Sequence, residues 1–322
     1  MTDRLLELLA QHPNEYVSGE QLSQHLSISR TAVWKQINRL RAKGYEFDAV
    51  PKLGYRLLQQ PTRLDEKLLL SKLRTTSFGR QLRILWKTES TQNEATAWLL
   101  SGAKEGAVVI AEEQTGGRGR RGRNWHSPAG KGIWMSVVLQ PSMPLQFTPH
   151  LTLLTAVAIC RAIKKMHPVE VGIKWPNDLL VNERKVCGIL LESQAEDERL
   201  LSVIAGIGIS ANLSADDYPP ELREIATSLS EVTGHGWDRA QLIAELLFEF
   251  EQLYHLYEEQ GFGPIRSLWE AQSITIGRMV SVDTPHGVVT GIAQSLDESG
   301  ALVLLGQDGC YRKVFSGDVH FA

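Results

Sequence analysis

Between residues 116 and 125 the chain reads GGRGRRGRNW, which places Arg118, Arg120, Arg121 and Arg123 within six positions and separates them with glycines. Guanidinium groups match phosphate oxygens in bidentate geometry, and glycine lets a backbone close around an anion. In a chain of formal net charge −3 the cluster is a local device, not part of a basic coat. A small polyanion suits it, most economically a nucleoside triphosphate; a solvated charged loop is the plain alternative. Trp125, just past the arginines, offers a ring on which a base can stack. Gly117, Gly119 and Gly122 formally satisfy G-x-G-x-x-G, but a dinucleotide fingerprint must open a helix, and here RNWHSPAGKG leads into a strand. GKG at 130–132 has neither the upstream glycine nor the following Ser or Thr of a Walker A loop.

Three further stretches carry candidate chemistry. In KWPNDLLVNERKVCGILLE (174–192), Asn177 and Asp178 follow a proline-stiffened corner, where amide and carboxylate oxygens can hold Mg2+ against phosphates. Lys185 begins the next strand and, by strict alternation, shares a face with Cys187, Ile189 and Leu191. Either an anion such as a carboxylate or acyl phosphate meets it there, or the lysine snorkels at the strand end. LLSVIAGIGISANL puts Leu201, Val203, Ala205, Ile207, Ile209 and Leu213 on an expected core face and Gly206, Gly208, Ser210 and Asn212 on the other. Two glycines on one face make a floor on which a ligand can lie against the backbone, or else mark a bulge or tight packing. In TESTQNEATAW, Ser90 and Thr91 stand between strand and helix, as helix caps or as hydrogen-bonding partners of a small polar ligand.

The elements that must position these residues fall into three zones. Residues 1–62 hold DRLLELLAQ, then SGEQLSQHL opening with a Ser18–Gln21 capping box, then SRTAVWKQINRLRAK capped by Ser29 and stopped by Gly44, then a hairpin around PKLG. That order is a winged helix-turn-helix, and the third helix with its flank carries Arg30, Lys35, Arg39, Arg41 and Lys43 without an acid. The expected DNA-facing residues are Ser29, Arg30, Thr31, Lys35 and Arg39. Residues 63–272 alternate apolar strands (LRILWKT, GAVVIAEE, GIWMSVVLQ, GIKWPNDLLV, KVCGILLES, LLSVIAGIGIS) with helices such as PHLTLLTAVAICRAIKKM. Several strands are joined too tightly for crossover helices, which predicts a mixed α+β sheet. Residues 273–322 break at His286-Gly287, Ser299-Gly300 and Asp308-Gly309, the pattern of a small SH3-like β-barrel. The dispersed cysteines Cys160, Cys187 and Cys310 read as thiols in a reducing cytosol, and neither a signal peptide nor a membrane span is expected.

Taken together, GRGRRGRNW, KWPNDLLV, RKVCGIL and AGIGIS behind a winged helix resemble the biotin protein ligases, in the bifunctional form that is also the biotin operon repressor. The resemblance spans all three zones. It implies an α+β multidomain chain whose central domain is similar to the catalytic domain of class II aminoacyl-tRNA synthetases. It implies that biotin and ATP react to biotinyl-5′-AMP with Mg2+, and that biotin passes to a lysine of the biotin carboxyl carrier protein of acetyl-CoA carboxylase. It further implies that the adenylate-bound chain forms a homodimer on biotin operator DNA, in the cytoplasm. Ser90, Thr91, Gln114, Arg118, Lys185, Gly206 and Gly208 match the family's biotin contacts. Arg118, Arg120, Arg121, Arg123, Trp125, Lys174 and Asn177 match its ATP and adenylate contacts, with Trp125 against adenine. Lys185, Arg120, Arg118 and Asp178 are the expected catalytic set, and Asp178 the metal ligand. Two positions depart: Ser210 stands where relatives commonly carry asparagine, with Asn212 two residues on, and STQN replaces the usual STN. A lipoate ligase, a regulator that only senses a ligand, and a ligase that has lost its operator are the competing readings.

Overall fold

Ser18 accepts a hydrogen bond from the Gln21 amide at 3.1 Å while the Gln21 side chain accepts from the Ser18 amide at 3.0 Å, so the expected capping box opens a helix. In this computed structural model residues 2–10, 12, 15–41, 45–51, 53–59, 63–197 and 199–321 are described. The chain divides into two compact units: Met1–Arg63 with Ala129–Lys131, and Leu64–Pro128 with Gly132–Ala322.

The first unit contains α1 (Thr2–Ala10), α2 (Gly19–Leu26), α3 (Arg30–Arg41), β1 (Glu46–Val50) and β2 (Gly54–Gln59). Val33, Ile37 and Leu40 of α3 join Leu5, Leu9 and Leu22 in its core. Ser29 caps α3 by accepting from the Ala32 amide at 3.2 Å. The expected stop at Gly44, the charge of Lys43 and the linker positions 60–62 lie outside the described residues. The hairpin closes at Gly54, where φ is +114° and a Cβ would lie 2.1 Å from the Val17 carbonyl oxygen, so only glycine fits. Ser29, Arg30, Thr31, Lys35 and Arg39 are all exposed. Two details differ from the sequence reading: Arg30 pairs with Glu20 of α2 at 2.7 Å, and Arg41 donates to the Phe47 carbonyl at 3.1 Å. The exposed face instead gains Trp34, 53% accessible in the middle of the basic residues.

The second unit runs α4 (Glu66–Lys72), β3 (Leu82–Thr88), α5 (Thr91–Leu100), β4 (Val108–Gln114), β5 (Ile133–Leu139), α6 (Thr148–Met166), β6 (Gly172–Lys174), β7 (Asp178–Val181), β8 (Arg184–Glu196), β9 (Arg199–Ile209), α7 (Leu229–Thr233), α8 (Arg239–Gln260) and α9 (Phe262–Glu270). It ends in β10 (Met279–Thr284), β11 (Gly287–Leu296), β12 (Leu302–Leu305), β13 (Tyr311–Val314) and β14 (Asp318–Phe321). The larger sheet has the order β3-β4-β5-β9-β8-β7-β6. Only β3 and β4 are parallel, joined by α5; every other neighbouring pair is antiparallel. The smaller sheet, β13-β12-β11-β10-β14, is antiparallel throughout.

Both faces of the larger sheet are covered. Val203, Ala205, Ile207 and Ile209 of β9 pack with α6 and α8, whereas Ile204 packs with Ala95 of α5. Past Ile204 that second face continues as Gly206, under Gln92 in the first turn of α5, and then Gly208 and Ser210, and here a cavity opens. Leu201, expected in the core, is 44% exposed near the outer end of the strand. GIKWPNDLLV is not one strand but two, β6 and β7, paired antiparallel across a corner containing the cis Trp175–Pro176 bond. A bulge corrects the placement of Lys185. Leu179 pairs with Cys187 but Leu180 pairs with Lys185, so Val186 is an extra residue in β8 and the alternation resets. Cys187 and Ile189 keep the core face, and Lys185 turns to the other side, against Gly188.

Candidate active site

The cavity, about 530 Å³, gathers Ser90, Thr91, Gln114, Arg118, Arg120, Arg123, Trp125, Lys174, Asn177, Asp178, Lys185, Gly206 and Gly208. Arg121 is the one expected site residue of the second unit that does not line it; its side chain borders a neighbouring cavity of about 380 Å³.

One end is polar and tightly tied. Ser90 caps α5 through the Gln92 amide at 3.3 Å. Thr91 donates through its amide and hydroxyl to Gln114 Oε1 at 2.8 and 3.1 Å, and its hydroxyl meets Ser136 Oγ at 2.8 Å. Gln114 Nε2 then donates to Ser127 Oγ at 3.0 Å. Side chains locked in this way have fixed directions, which suits recognition of a compact polar group. Gln92, of uncertain role in the sequence, is buried here and donates to the Leu190 carbonyl at 3.1 Å. It lies over Gly206, whose Cβ would come 2.8 Å from Gln92 Cδ.

The middle is cationic and aromatic. Trp125 lies over two glycines: a Cβ on Gly208 would be 2.4 Å from Trp125 Nε1, and one on Gly188 would be 2.9 Å from Trp125 Cζ3. Lys185 Nζ is 5.0 Å from the Trp125 ring centroid and 2.7 Å from Asp178 Oδ1. Cation–π and ion-pair contacts hold its ammonium in the cavity without neutralising the region as a whole. Lys174 sits nearby with its Nζ 5.3 Å from the Phe321 ring, and burial pushes its ammonium below the usual lysine range despite the Asp178 charge.

The arginine loop is not a free polycation. Arg121 takes a positive φ of 57° and Gly122 one of 71°, which turns the chain back so that the Gly119 amide reaches the Arg123 carbonyl at 2.7 Å. Arg118 makes a bidentate pair with Glu192 at 2.8 and 3.0 Å and a further bond to Asn93 at 2.7 Å. The Glu192 hydrogen bond raises the Arg118 guanidinium above its ordinary value. Arg120 donates to Asn177 Oδ1 at 3.1 Å and to the Gly317 carbonyl at 3.2 Å. Burial lowers its guanidinium. Arg121 and Arg123 both bind Asp318 of β14, and Arg120 stands 3.8 Å from the same carboxylate. Burial alone would raise the Asp318 carboxyl, but the Arg123 hydrogen bond and the three guanidinium charges outweigh it.

Asp318 and Gly188, which line the cavity, and Glu192, which holds Arg118, are residues that sequence reasoning missed. Arg123 and Asp318 are 195 positions apart, so no local pattern could link them. Gly188 had a signal, because it stands in the same β8 register row as Gly208.

Among the described residues no three His, Cys, Asp or Glu side chains form a metal cage. Asn177 accepts from Arg120 through Oδ1 and donates to the Ile189 carbonyl at 2.8 Å, which fixes the direction of its amide. Of the carboxylates lining the cavity, Asp178 lies beside Lys185, and its Oδ1 is buried and has no hydrogen bond beside that ion pair. A single carboxylate fits Mg2+ carried in on phosphates, since that ion keeps most of its own waters.

Similarity to known proteins agrees with this geometry. Residues 2–56 match an HTH domain, residues 85–210 the Biotin/lipoate A/B protein ligase family, and residues 275–321 the Biotin protein ligase C terminal domain. The chain is 45% identical over 315 residues to the Bifunctional ligase/repressor BirA of Bacillus spizizenii, covering 98% of this chain and 97% of that one. It is 32% identical to the protein of the same name from Escherichia coli, over 98% and 95% of the two chains. Among solved structures, the biotin protein ligase of Aquifex aeolicus in complex with biotin and ATP superposes with a TM-score of 0.66 at 28% identity, covering 76% of this chain and 100% of that one. With its winged helix in front and its cation-lined cavity behind, the chain belongs to the biotin protein ligase family, among the bifunctional ligase/repressors.

Proposed function

We propose that this chain joins biotin to ATP, giving biotinyl-5′-AMP and pyrophosphate, and then passes biotin to a lysine of the biotin carboxyl carrier protein of acetyl-CoA carboxylase. The adenylate-bound chain represses the biotin operon through its winged helix. The observation that carries the chemistry is the convergence of Arg118, Arg120, Arg123 and Lys185 on one cavity with a Trp125 ring laid over Gly188 and Gly208.

In the first step a biotin carboxylate oxygen attacks the α-phosphorus, the bond to the β-phosphate oxygen breaks, and pyrophosphate leaves with the electron pair. Two anions must approach, so the barrier is largely electrostatic, and no protein nucleophile is required. Lys185 stands where it can meet both the carboxylate and the developing negative charge, and Arg120 and Arg123 face the leaving phosphates. Asp178 would hold a magnesium ion brought in on the triphosphate, and that ion would supply further neutralisation. The Thr91–Gln114–Ser127 network and Ser90 hold the polar ring system of biotin, and the Trp125 ring carries the base. In the second step the carrier amine attacks the acyl carbonyl, AMP leaves, and the loop keeps water from the mixed anhydride meanwhile.

Operator binding is assigned to the face of α3 bearing Ser29, Arg30, Thr31, Lys35 and Arg39, by phosphate and groove contacts. A homodimer of the adenylate-bound form would match a two-fold operator. Biotin-dependent exchange of pyrophosphate into ATP, followed by label transfer to a carrier domain, tests the enzyme reading. Exchange supported by lipoate and not biotin would overturn the substrate; no exchange with either would overturn the reaction.

A further inference from the structure

Of the chain's eight tryptophans, all of them described, Trp34 in the middle of α3 is the exposed one; the other seven are buried or half-buried. The rotation of α3 is fixed by Val33, Ile37 and Leu40, none more than 1% exposed, so the indole cannot turn inward without emptying that core. A flat apolar ring left facing water gives the fold little of the stabilisation that burying it would. Its neighbours on the outward side are polar. Thr31 stands one turn before it and Asn38 one turn after it, at the i−3 and i+4 positions that share a helix face. Lys35 is exposed beside the ring and Arg39 farther round. Between residues 29 and 43 the sequence contains no acid.

The cations of α3 divide into two groups. Arg30 is tied to Glu20 of α2 at 2.7 Å and Arg41 to the Phe47 carbonyl at 3.1 Å, so the first and last residues of the helix are braced against the rest of the unit. Lys35 and Arg39 stand on the outward face, where phosphates can meet them. Charge complementarity on that face therefore favours a polyanion. A protein-binding patch, by contrast, gathers several apolar residues and sheds charge at its centre, whereas here one ring is set among polar and cationic side chains. The remaining question is what the ring itself would touch. In the major groove the base edges present donors, acceptors and one bulky apolar group, the thymine 5-methyl.

We infer that Trp34 is a specificity-determining residue of α3, whose indole covers the 5-methyl group of a thymine in the major groove of the operator. The inference rests on the reading that α3 binds operator DNA. It adds what Lys35 and Arg39 cannot provide, since contacts to phosphate set position and affinity but carry no sequence information. An apolar ring over a methyl group discriminates: cytosine offers no methyl there, and the polar edges of the purines would lose water against the indole without gaining a hydrogen bond.

The test uses the full chain with biotin and ATP present. Its preferred duplex is first selected from a random-sequence pool by the wild-type protein. Each thymine of that duplex is then replaced in turn by uracil, which removes the methyl group alone, and affinities are measured for wild type and Trp34→Ala. In the wild type, uracil at one thymine of each half-site should weaken binding about fourfold, the scale of one buried methyl group. Trp34→Ala should bind the thymine duplex about tenfold more weakly and should be indifferent to uracil at that position. Its dependence of affinity on salt should match the wild type, because no phosphate contact is lost. Uracil penalties that are the same in both proteins at every thymine overturn the inference. So does a shallower salt dependence in Trp34→Ala, which would make Trp34 an adjunct of phosphate binding. Sedimentation reads the alternative occupant: loss of self-association with the thymine pattern intact would assign Trp34 to a protein contact and overturn the inference as well. If Trp34→Ala fails to fold, Trp34→Gln is read by the same uracil comparison. A wild-type protein that selects no sequence at all would instead refute the operator reading itself.

Discussion

Replacing Gly208 with alanine tests the glycine floor directly. The added methyl would come 2.4 Å from Trp125 Nε1, 2.6 Å from Cε2 and 3.0 Å from Cζ2. Optimal contacts between such atoms lie near 3.5–4.0 Å, so the indole must withdraw by about 1 Å or tilt. The backbone need not change, because Gly208 lies in a regular stretch of β9 opposite Trp134 and Gly188, with no positive φ. Alanine also suits a strand at least as well as glycine does. The damage therefore falls on the stacking surface and not on the fold. Base–aromatic stacking contributes about 1–3 kcal/mol, so losing most of it raises the ATP KM roughly 5- to 150-fold.

Two companion variants sharpen the test. A methyl on Gly206 would meet Gln92 Cδ at 2.8 Å, so Gly206→Ala should act on the biotin KM and spare ATP. One on Gly188 would meet both Trp125 Cζ3 at 2.9 Å and Lys185 Cε at 3.2 Å, so Gly188→Ala should raise the ATP KM and also lower kcat. Steady-state pyrophosphate release with each substrate varied in turn, with thermal midpoints as a folding control, separates these cases. A Gly208→Ala protein that folds normally and keeps its ATP KM would refute the placement of the base on Trp125. Equal shifts in both KM values for all three variants would refute the division of the cavity into two ends.

Lys185→Ala should cut the rate of pyrophosphate release about 100-fold or more, the scale of one transition-state electrostatic contact; a near-normal rate in a single-turnover assay would remove Lys185 from the chemistry. Deleting residues 1–62 should abolish the operator gel shift while pyrophosphate exchange persists, and a surviving shift would move DNA binding elsewhere. His150, 3% exposed between the Tyr257 hydroxyl and the Glu298 carbonyl, is lowered by burial from 6.5 to about 4. The unfolded chain then binds the extra proton, so stability is full above pH 6.5 and falls by about 3 kcal/mol on acidification toward pH 4. Urea midpoints across that window should decline less in His150→Gln than in the parent protein, and parallel declines would exclude His150 as the titrating group.

Much of this was legible in the sequence because it depends on near neighbours along the chain. The Ser18–Gln21 box, the Ser29 cap and the apolar stripe of α3 need only a few consecutive residues, and each is present as read. The motifs GRGRRGRNW, KWPND and AGIGIS likewise converge on one cavity. Pattern reading failed where geometry departs from strict period. Alternation assigned Lys185 to the core face of β8, and a single extra residue, Val186, reverses that assignment. It also made GIKWPNDLLV one strand, although Trp175, Pro176 and Asn177 form a corner between two.

The charge of the arginine loop resolves in the same long-range terms. Four guanidinium groups crowded on a short turn would repel one another and spread into solvent. Here Glu192 takes Arg118 from one side, while Asp318 takes Arg121 and Arg123, with Arg120 close by, from the other. The carboxylates are supplied by Glu192, inside β8, and by Asp318, the first residue of β14, so the two sheets of the second unit jointly hold the loop. Three of the cations sharing Asp318 remain in excess over its single charge, which leaves the turn ordered and still electropositive toward the cavity. Of those three, Arg120 and Arg123 line the cavity and Arg121 does not. If phosphate oxygens take the other two, as the proposed function requires, Arg121 can keep its Asp318 anchor, and the glycines need only allow a local rearrangement.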